Sequence, residues 1–286
     1  MKCEQKSCAS CSIGAQKRSK EELISCRLSR IRNKILVMSG KGGVGKSSVA
    51  SYLALALAQK GSQVGLLDID LHGPSIPRMF GLNRPLDITA EREIIPYEYR
   101  PNLKIVSIES LLEDTDSAII WRGPLKHGVI KQFLADCRWE DLDFLVIDSP
   151  PGTGDEAQSI SSLVPDARAL IVTTPQEMAL ADVRKSINFC RKVDLQILGL
   201  VENMSGLFCP HCNQFIPIFL TGGGRRTAEA MKVEFLGALP FDTEVVERGD
   251  RGDLVFEEKG GRPFTAALEE LTKAVLEKFG EQASRS

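Results

Sequence analysis

The chain has little of what marks several protein classes. Aromatic residues make up 6% of its 286 positions, with 2 Trp and 3 Tyr, and there are 3 His. No run of about 18 apolar residues occurs, so no segment reads as a transmembrane helix. Neither sign of charge is in surplus. The 36 Lys and Arg against 38 Asp and Glu give a net charge of −2, which removes the global basic field expected of a nucleic-acid binder. Residues 1–22 are polar and lysine-rich, so nothing there reads as a secretory leader, and the expected location is cytoplasmic. What remains is ordinary globular composition, 43% hydrophobic and 26% charged, long enough to build a core without staples.

Cysteine is the unusual component. Of the 8 cysteines, Cys3, Cys8, Cys11 and Cys26 lie near the start, Cys209 and Cys212 form a tight pair, and Cys137 and Cys190 stand alone. In a reducing compartment such groups point to metal or redox chemistry before structural disulfides. The isolated two read as core residues, since free cysteine is often simply buried.

Residues 1–30 read as a mobile arm that ends in a short helix from Ser19 to Arg30. From Lys34 onward, apolar runs alternate with amphipathic stretches. Strands are expected at Lys34–Ser39, Gln63–Asp68, Leu103–Ile108, Asp143–Asp148, Ala169–Thr174, Gln196–Glu202 and Phe235–Leu239. Helices are expected at Ser47–Lys60, Pro124–Ala135, Glu156–Leu163, Ala179–Val193, Arg225–Met231 and Pro263–Phe279. The unbroken apolar strands suit a sheet covered on both faces. The expected fold is therefore α/β, a doubly wound, mostly parallel sheet with helices on both faces, formed by one domain over 31–286. Residues 84–102 look like an insertion with two weak strands, and 205–219 like a hairpin carrying the cysteine pair. There is no internal repeat.

After the first strand comes Gly40-Lys41-Gly42-Gly43-Val44-Gly45-Lys46-Ser47, followed by Ser48 and an alanine-rich helix. This is the G-x-x-x-x-G-K-S phosphate loop between strand and helix. Its glycines let successive N–H groups face phosphate oxygens, and the helix N-terminus adds its positive end. Lys46 would reach the β- and γ-phosphates of ATP or ADP, and Ser47 would ligate Mg²⁺. Lys41 is not required by an ordinary phosphate loop. Its place at the loop's start suits reaching a nucleotide on a second subunit, as an arginine finger does in trans.

Three further acidic positions fall at strand ends, where open α/β sheets bind ligands. Asp68 and Asp70 end Leu66-Leu67-Asp68-Ile69-Asp70. Asp70 is a candidate to orient the attacking water, and Asp68 to sit near Mg²⁺ or brace the loop. Phe144-Leu145-Val146-Ile147-Asp148 ends in a Walker B aspartate suited to Mg²⁺. The following Ser149-Pro150-Pro151-Gly152-Thr153-Gly154-Asp155 suits a loop with two states set by the γ-phosphate.

These residues resemble a known group. Gly-Lys-Gly-Gly-Val-Gly-Lys-Ser is similar to the deviant phosphate loop shared by nitrogenase iron protein, the septum-site ATPase MinD, plasmid-partitioning ATPases and the Mrp/ApbC iron–sulfur carriers. The resemblance spans about residues 33–280. Leu71-His72-Gly73-Pro74-Ser75 resembles the switch I of Mrp-type proteins, and Asp148 to Gly152 their switch II. The resemblance implies a slow Mg-dependent ATPase in which Lys41 acts across a homodimer. It also implies that Asn203 reads adenine and that Pro240 flanks it.

Cys209-Pro210-His211-Cys212 selects within the group. Two thiolates at i and i+3 can share one metal centre, but a 4Fe–4S cluster or tetrahedral zinc needs four ligands. A symmetric dimer supplies the other two. The motif resembles the bridging cluster site of the Mrp/ApbC carriers, which implies a 4Fe–4S cluster between subunits and apo iron–sulfur proteins as recipients. Intersubunit zinc, with His211 as an extra ligand, is the competing occupant. A thioredoxin-like pair would need a helix start. Cys3, Cys8, Cys11 and Cys26 resemble the N-terminal cluster motif of the eukaryotic cytosolic scaffolds, with different outer spacings. They are candidate ligands of a second cluster.

On the last helix Phe264, Leu268, Leu271, Val275, Leu276 and Phe279 share a face. Its polar side carries Glu269, Glu270, Glu277 and Glu281 against Lys273 and Lys278, so packing on the core is expected in place of membrane docking. The resulting expectation is an ATPase that assembles, carries and transfers an iron–sulfur cluster. The rivals are a MinD- or ParA-like positional ATPase and an ATP-gated electron-transfer subunit.

Overall fold

The computed structural model describes residues 19–70, 73, 75–111, 123–254, 256 and 261–283. Cys3, Cys8 and Cys11 lie outside them, as do Leu71, His72 and Pro74 of the switch I segment. The chain enters through α1 (Lys20–Leu28), which Ser19 and Glu22 start with a reciprocal capping box. Ile24 and Leu28 of α1 are buried in the core, so the last third of the 1–30 arm packs into the domain. Each such aliphatic chain contributes about 1.5–3 kcal/mol of burial, which explains why a sequence that looks polar overall docks there.

β1 (Ile31–Ser39) leads through the phosphate loop into α2 (Lys46–Gln59), then β2 (Val64–Asp68) and the single turn α3 (Ile76–Met79). In the inserted stretch, β3 (Asp87–Ile88) and β4 (Ile94–Ile95) make a small separate ribbon. A third strand, β5 (Tyr97–Arg100), joins the main sheet antiparallel to β6 (Leu103–Ser107). The insertion thus holds one strand more than its composition suggests. β5 fully buries only Tyr97, with Glu98 exposed and Tyr99 and Arg100 half-buried, as suits an edge strand, and so lacks the long apolar run of its neighbours.

The remaining elements alternate. They are α4 (Gly123–Asp136), β7 (Leu142–Asp148), α5 (Asp155–Leu163), β8 (Arg168–Thr173), α6 (Glu177–Lys192) and β9 (Gln196–Glu202). A two-stranded hairpin of β10 (Leu207–Phe208) and β11 (Phe215–Ile216) follows. The chain ends through α7 (Gly223–Ala230), β12 (Phe235–Ala238), α8 (Thr243–Arg251) and α9 (Pro263–Ala283).

The main sheet runs β12-β9-β8-β1-β7-β2-β6-β5, and only β5 is antiparallel to its neighbour. β1 is central, with β7 on one side and β8 on the other. This is the order reversal at which open α/β sheets place ligands. α2 lies buried along most of its length, with Tyr52 edge-on to Phe264 of α9 at 5.1 Å. Phe264, Leu268, Leu271 and Val275 of α9 are buried, and Leu276 and Phe279 pack against the same core. No helix among the described residues is long and apolar enough to cross a membrane.

Candidate nucleotide site and cysteine hairpin

The strand ends bring the acidic residues together. Asp68 and Asp148 are partners in the parallel register of β2 and β7, and Val37 of β1 is level with Asp148. Lys46, first residue of α2, reaches into this edge. Its Nζ donates to Asp148 Oδ1 at 2.5 Å, stands 3.7 Å from Asp70 Oδ2, and lies 3.3 Å from Ser47 Oγ. Lys46, Asp68, Asp70 and Asp148 are all buried. Asp68 accepts from the Asp70 N–H at 3.0 Å and from Ser107 Oγ at 3.1 Å.

Burial shapes the electrostatics here. Desolvation, then the facing Asp148 charge, pushes the Asp68 carboxyl up to about 8. Burial also raises Asp148, against the downward pull of the Lys46 ammonium and the Ser47 hydroxyl. Asp148 Oδ2 is buried with no hydrogen-bond partner. An unpartnered carboxylate oxygen beside a serine hydroxyl is a hard-cation donor set, so these residues fit Mg²⁺.

The phosphate loop is held by its neighbours. Ser39 Oγ donates to the Lys41 carbonyl at 2.9 Å, and the Gly152 N–H donates to the Ser39 carbonyl at 2.8 Å. The latter bond ties the loop after β7 to the phosphate loop. Gly42 and Gly43 are exposed, Gly40, Lys41, Gly45, Ser47 and Ser48 are half-buried, and Val44 is buried. Gly45 has φ +76, and a Cβ there would stand 2.3 Å from Asn203 Nδ2. Only glycine serves both needs. The Asn203 amide donates to the Val44 carbonyl at 2.9 Å, so Asn203 is buried against the loop. Pro240 is buried after β12, where Leu239 and Phe241 bond to the Glu202 and Gly206 carbonyls.

The cysteine hairpin leaves this edge through Gly206, which has φ +96 and whose Cβ would meet the Phe215 ring at 2.3 Å. The ring packs edge-on to Phe208 at 5.3 Å. The Asn213 N–H donates to the Cys209 carbonyl at 2.8 Å and closes the turn. Cys209 is half-buried and Cys212 exposed, and both are free thiols. The His211 and Cys212 backbone N–H groups, with the Cys212 side chain, hold the Cys209 thiol below its ordinary value. N–H groups aimed at sulfur stabilise a thiolate, the form that ligates metals and attacks electrophiles. Among the described residues no three His, Cys, Asp or Glu side chains are grouped to hold a metal.

A groove of about 960 Å³ lies beside the pair. It is walled by Cys209, His211 and Pro240 on one side and by Asp242, Glu244 and Arg262 on the other. The far wall includes α8, which the sequence pattern missed. Asp242 caps its start by accepting from the Glu244 N–H at 2.9 Å, and Gly252 ends it at φ +73. That Asp…Gly spacing was the available signal. Also missed was Glu202, buried at the end of β9. Its carboxylate accepts from Ser205 Oγ at 2.6 Å and from the Gly224 N–H at 2.5 Å. It thereby anchors the start of α7 beside the hairpin, and the run Gly222-Gly223-Gly224 was its trace in the sequence.

Cys137 and Cys190 are buried as expected. Desolvation raises both thiols, that of Cys190 to about 12. Cys26 is half-buried on α1 and disulfide-bonded.

A parallel sheet with a phosphate loop, a facing aspartate and an acidic strand end defines a P-loop nucleoside triphosphatase. Residues 30–276 match the ParA-type family described as NUBPL iron-transfer P-loop NTPases, and the chain belongs to that family. It is 45% identical over 264 residues to a cytosolic Fe-S cluster assembly factor NUBP2 homolog of Monosiga brevicollis, covering 91% of this chain and 93% of the relative. It is 46% identical over 226 residues to an iron-sulfur cluster carrier protein of Methanocaldococcus jannaschii, covering 79% and 78%. Among solved structures, the ADP complex of a nucleotide-binding protein from Archaeoglobus fulgidus superposes with a TM-score of 0.72 at 38% identity. That match covers 82% of this chain and 91% of the other. The cell division ATPase MinD of Pyrococcus furiosus gives 0.61 at 25% identity, covering 86% and 98%.

Proposed function

We propose that the chain is a cytoplasmic ATPase that assembles and carries an iron–sulfur cluster. In this reading it works as a homodimer, holds a 4Fe–4S cluster as cargo between Cys209 and Cys212 of two copies, and passes it to apo iron–sulfur proteins. The carrying observation is the hairpin itself. Two thiols stand on one turn, Cys209 held toward the thiolate by backbone N–H groups, with no third ligand grouped beside them among the described residues. That is half of a tetrathiolate site, and a two-fold axis completes it. The names of the relatives from M. brevicollis and M. jannaschii support the same cargo.

At the nucleotide end, Gly40 to Ser48 cradle the phosphates. Lys46 exchanges Asp148 for the β- and γ-phosphates, which frees Asp148. Ser47 and Asp148 would hold Mg²⁺, which supplies charge neutralisation at the phosphates when bound. Asp70, beside Lys46 at 3.7 Å, orients the attacking water, and Lys41 adds positive charge to the partner's nucleotide. Asn203 and Pro240 frame the base. The bond from Gly152 to Ser39 makes the loop after β7 sensitive to the state of the phosphate loop. The test is anaerobic reconstitution with iron and sulfide, followed by Mössbauer spectroscopy and transfer to an apo 4Fe–4S protein. Wild type should load and transfer, and Cys212→Ala should do neither. Equal loading of the variant, or zinc without iron in the natively purified protein, would contradict this function.

A further inference from the structure

The opposite edge of the sheet carries a feature that the nucleotide and cysteine sites do not use. A groove of about 510 Å³ opens at the starting ends of β8, β9 and β12. Among the described residues, four cationic side chains line it, namely Arg168, Arg191, Lys232 and Lys278, against the single acid Glu234. The whole chain carries a net charge of −2, so this surplus is local.

The partners of these groups define what is left over. Lys278 Nζ is 2.6 Å from Glu234 Oε2, which uses the one carboxylate that the described residues bring to the groove. Arg168 donates from Nη1 to the Lys278 carbonyl at 3.2 Å and stacks over the Phe279 ring at 4.6 Å. Burial lowers its affinity for its proton, and no neighbouring acid offsets that. Arg191 donates to the Met231 carbonyl. Among the described residues, Arg168, Arg191 and Lys232 have no carboxylate within ion-pairing distance.

Helix ends account for only part of this charge. α6 and α7 both end at this edge, and each C-terminus carries roughly half a negative charge. Together they offset about one of the three surplus cations. Leu195 in its lining is buried and Val233 half-buried, so the groove presents mainly polar surface. Three surplus cations along such a concave surface are complementary to carboxylates.

We infer that this groove docks an acidic segment of a partner protein, on the face opposite the nucleotide. A nucleic acid would need a longer basic stripe than a chain of this net charge presents. A membrane would need exposed apolar side chains at the rim. Among the described residues, the exposed large apolar ones are Ile88, Met178, Phe215, Ile216, Ile218, Leu220 and Val246, none of which lines the groove. The inference does not depend on the proposed cargo, because no cysteine takes part.

The test uses the full chain and a fluorescein-labelled peptide of alternating glutamate and leucine, followed by fluorescence anisotropy at low ionic strength. The peptide should bind, and its affinity should fall as salt is raised. Arg191→Glu combined with Lys232→Glu reverses two exposed charges and should weaken binding at least about tenfold. Nucleotide affinity should be unchanged, which reports an intact fold. A lysine–leucine peptide of equal length should not bind. Equal affinity of wild type and the double variant for the acidic peptide, or no binding by wild type, overturns the inference. So does preferential binding of phosphatidylserine vesicles or single-stranded DNA that the same double reversal abolishes, since the occupant would then be another class.

Discussion

The two ends of the strand edge that carry chemistry are built in opposite ways. At the phosphate loop, Lys46, Asp68, Asp70 and Asp148 are buried and mutually braced, and the loop is tied down through Ser39, Gly152 and Asn203. At the hairpin, Cys212 is exposed, Cys209 is half-buried, and no third candidate ligand is grouped with them among the described residues. A site whose charges are buried must be completed by its own chain, since an unpaired buried charge is costly. A site whose ligands face solvent can be completed by another molecule. The buried charges of the nucleotide end are thus paired within one chain, whereas the cysteine end presents two thiols that another molecule can reach.

Substitutions should separate the two ends by their effect on stability. The largest effect is expected from Lys46→Ala, which leaves Asp148 buried without its counter-ion. It should lower ATP hydrolysis about 100- to 1,000-fold and destabilise the nucleotide-free fold by about 3 kcal/mol, read by steady-state assay and urea unfolding. Gly45→Ala comes next. A side chain at φ +76, 2.3 Å from the Asn203 amide, should cost about 1–3 kcal/mol and weaken ADP binding in calorimetry.

Asp68 gives a pH signature. Its folded carboxyl is raised to about 8 from an ordinary 3.8, so between those values the folded protein holds a proton that the unfolded chain does not. Its contribution to stability is thus intact below the ordinary value and is lost as pH rises through the folded one. Asp68→Asn should melt above wild type at pH 8 without nucleotide, and the gap should close toward pH 5. A constant gap would remove Asp68 as its source. The smallest shift in stability, within about 0.5 kcal/mol, is expected for Cys212→Ala because the side chain is exposed. That same change should abolish cluster loading.

Much of this arrangement was legible in the sequence for physical reasons that are specific to each part. The central strands are covered on both faces, so they must be unbroken apolar runs, and β7, β8 and β9 fall within a residue or so of expectation. The phosphate loop was legible because glycine spacing there is set by the phosphate itself. α8 was not, because it buries no residue fully and shows no apolar stripe, only its Asp242 cap and Gly252 stop. α1 reads as part of an arm because Ile24 and Leu28, its two buried residues, sit in a polar stretch. Glu202 escaped because a buried carboxylate on a backbone N–H leaves no spacing rule, although Gly224 beside it hints at close approach. The geometry of the Cys209 turn needed coordinates, since four residues of sequence do not show which N–H groups face the sulfur.

The proposed function makes Cys209 and Cys212 half of a site shared by two chains. Native mass spectrometry of the anaerobically reconstituted protein reads this stoichiometry. One 4Fe–4S cluster should sit on two chains, with the cluster-bound dimer absent for Cys212→Ala. A cluster, or a zinc ion, held by a single chain through Cys209 and Cys212 would contradict it.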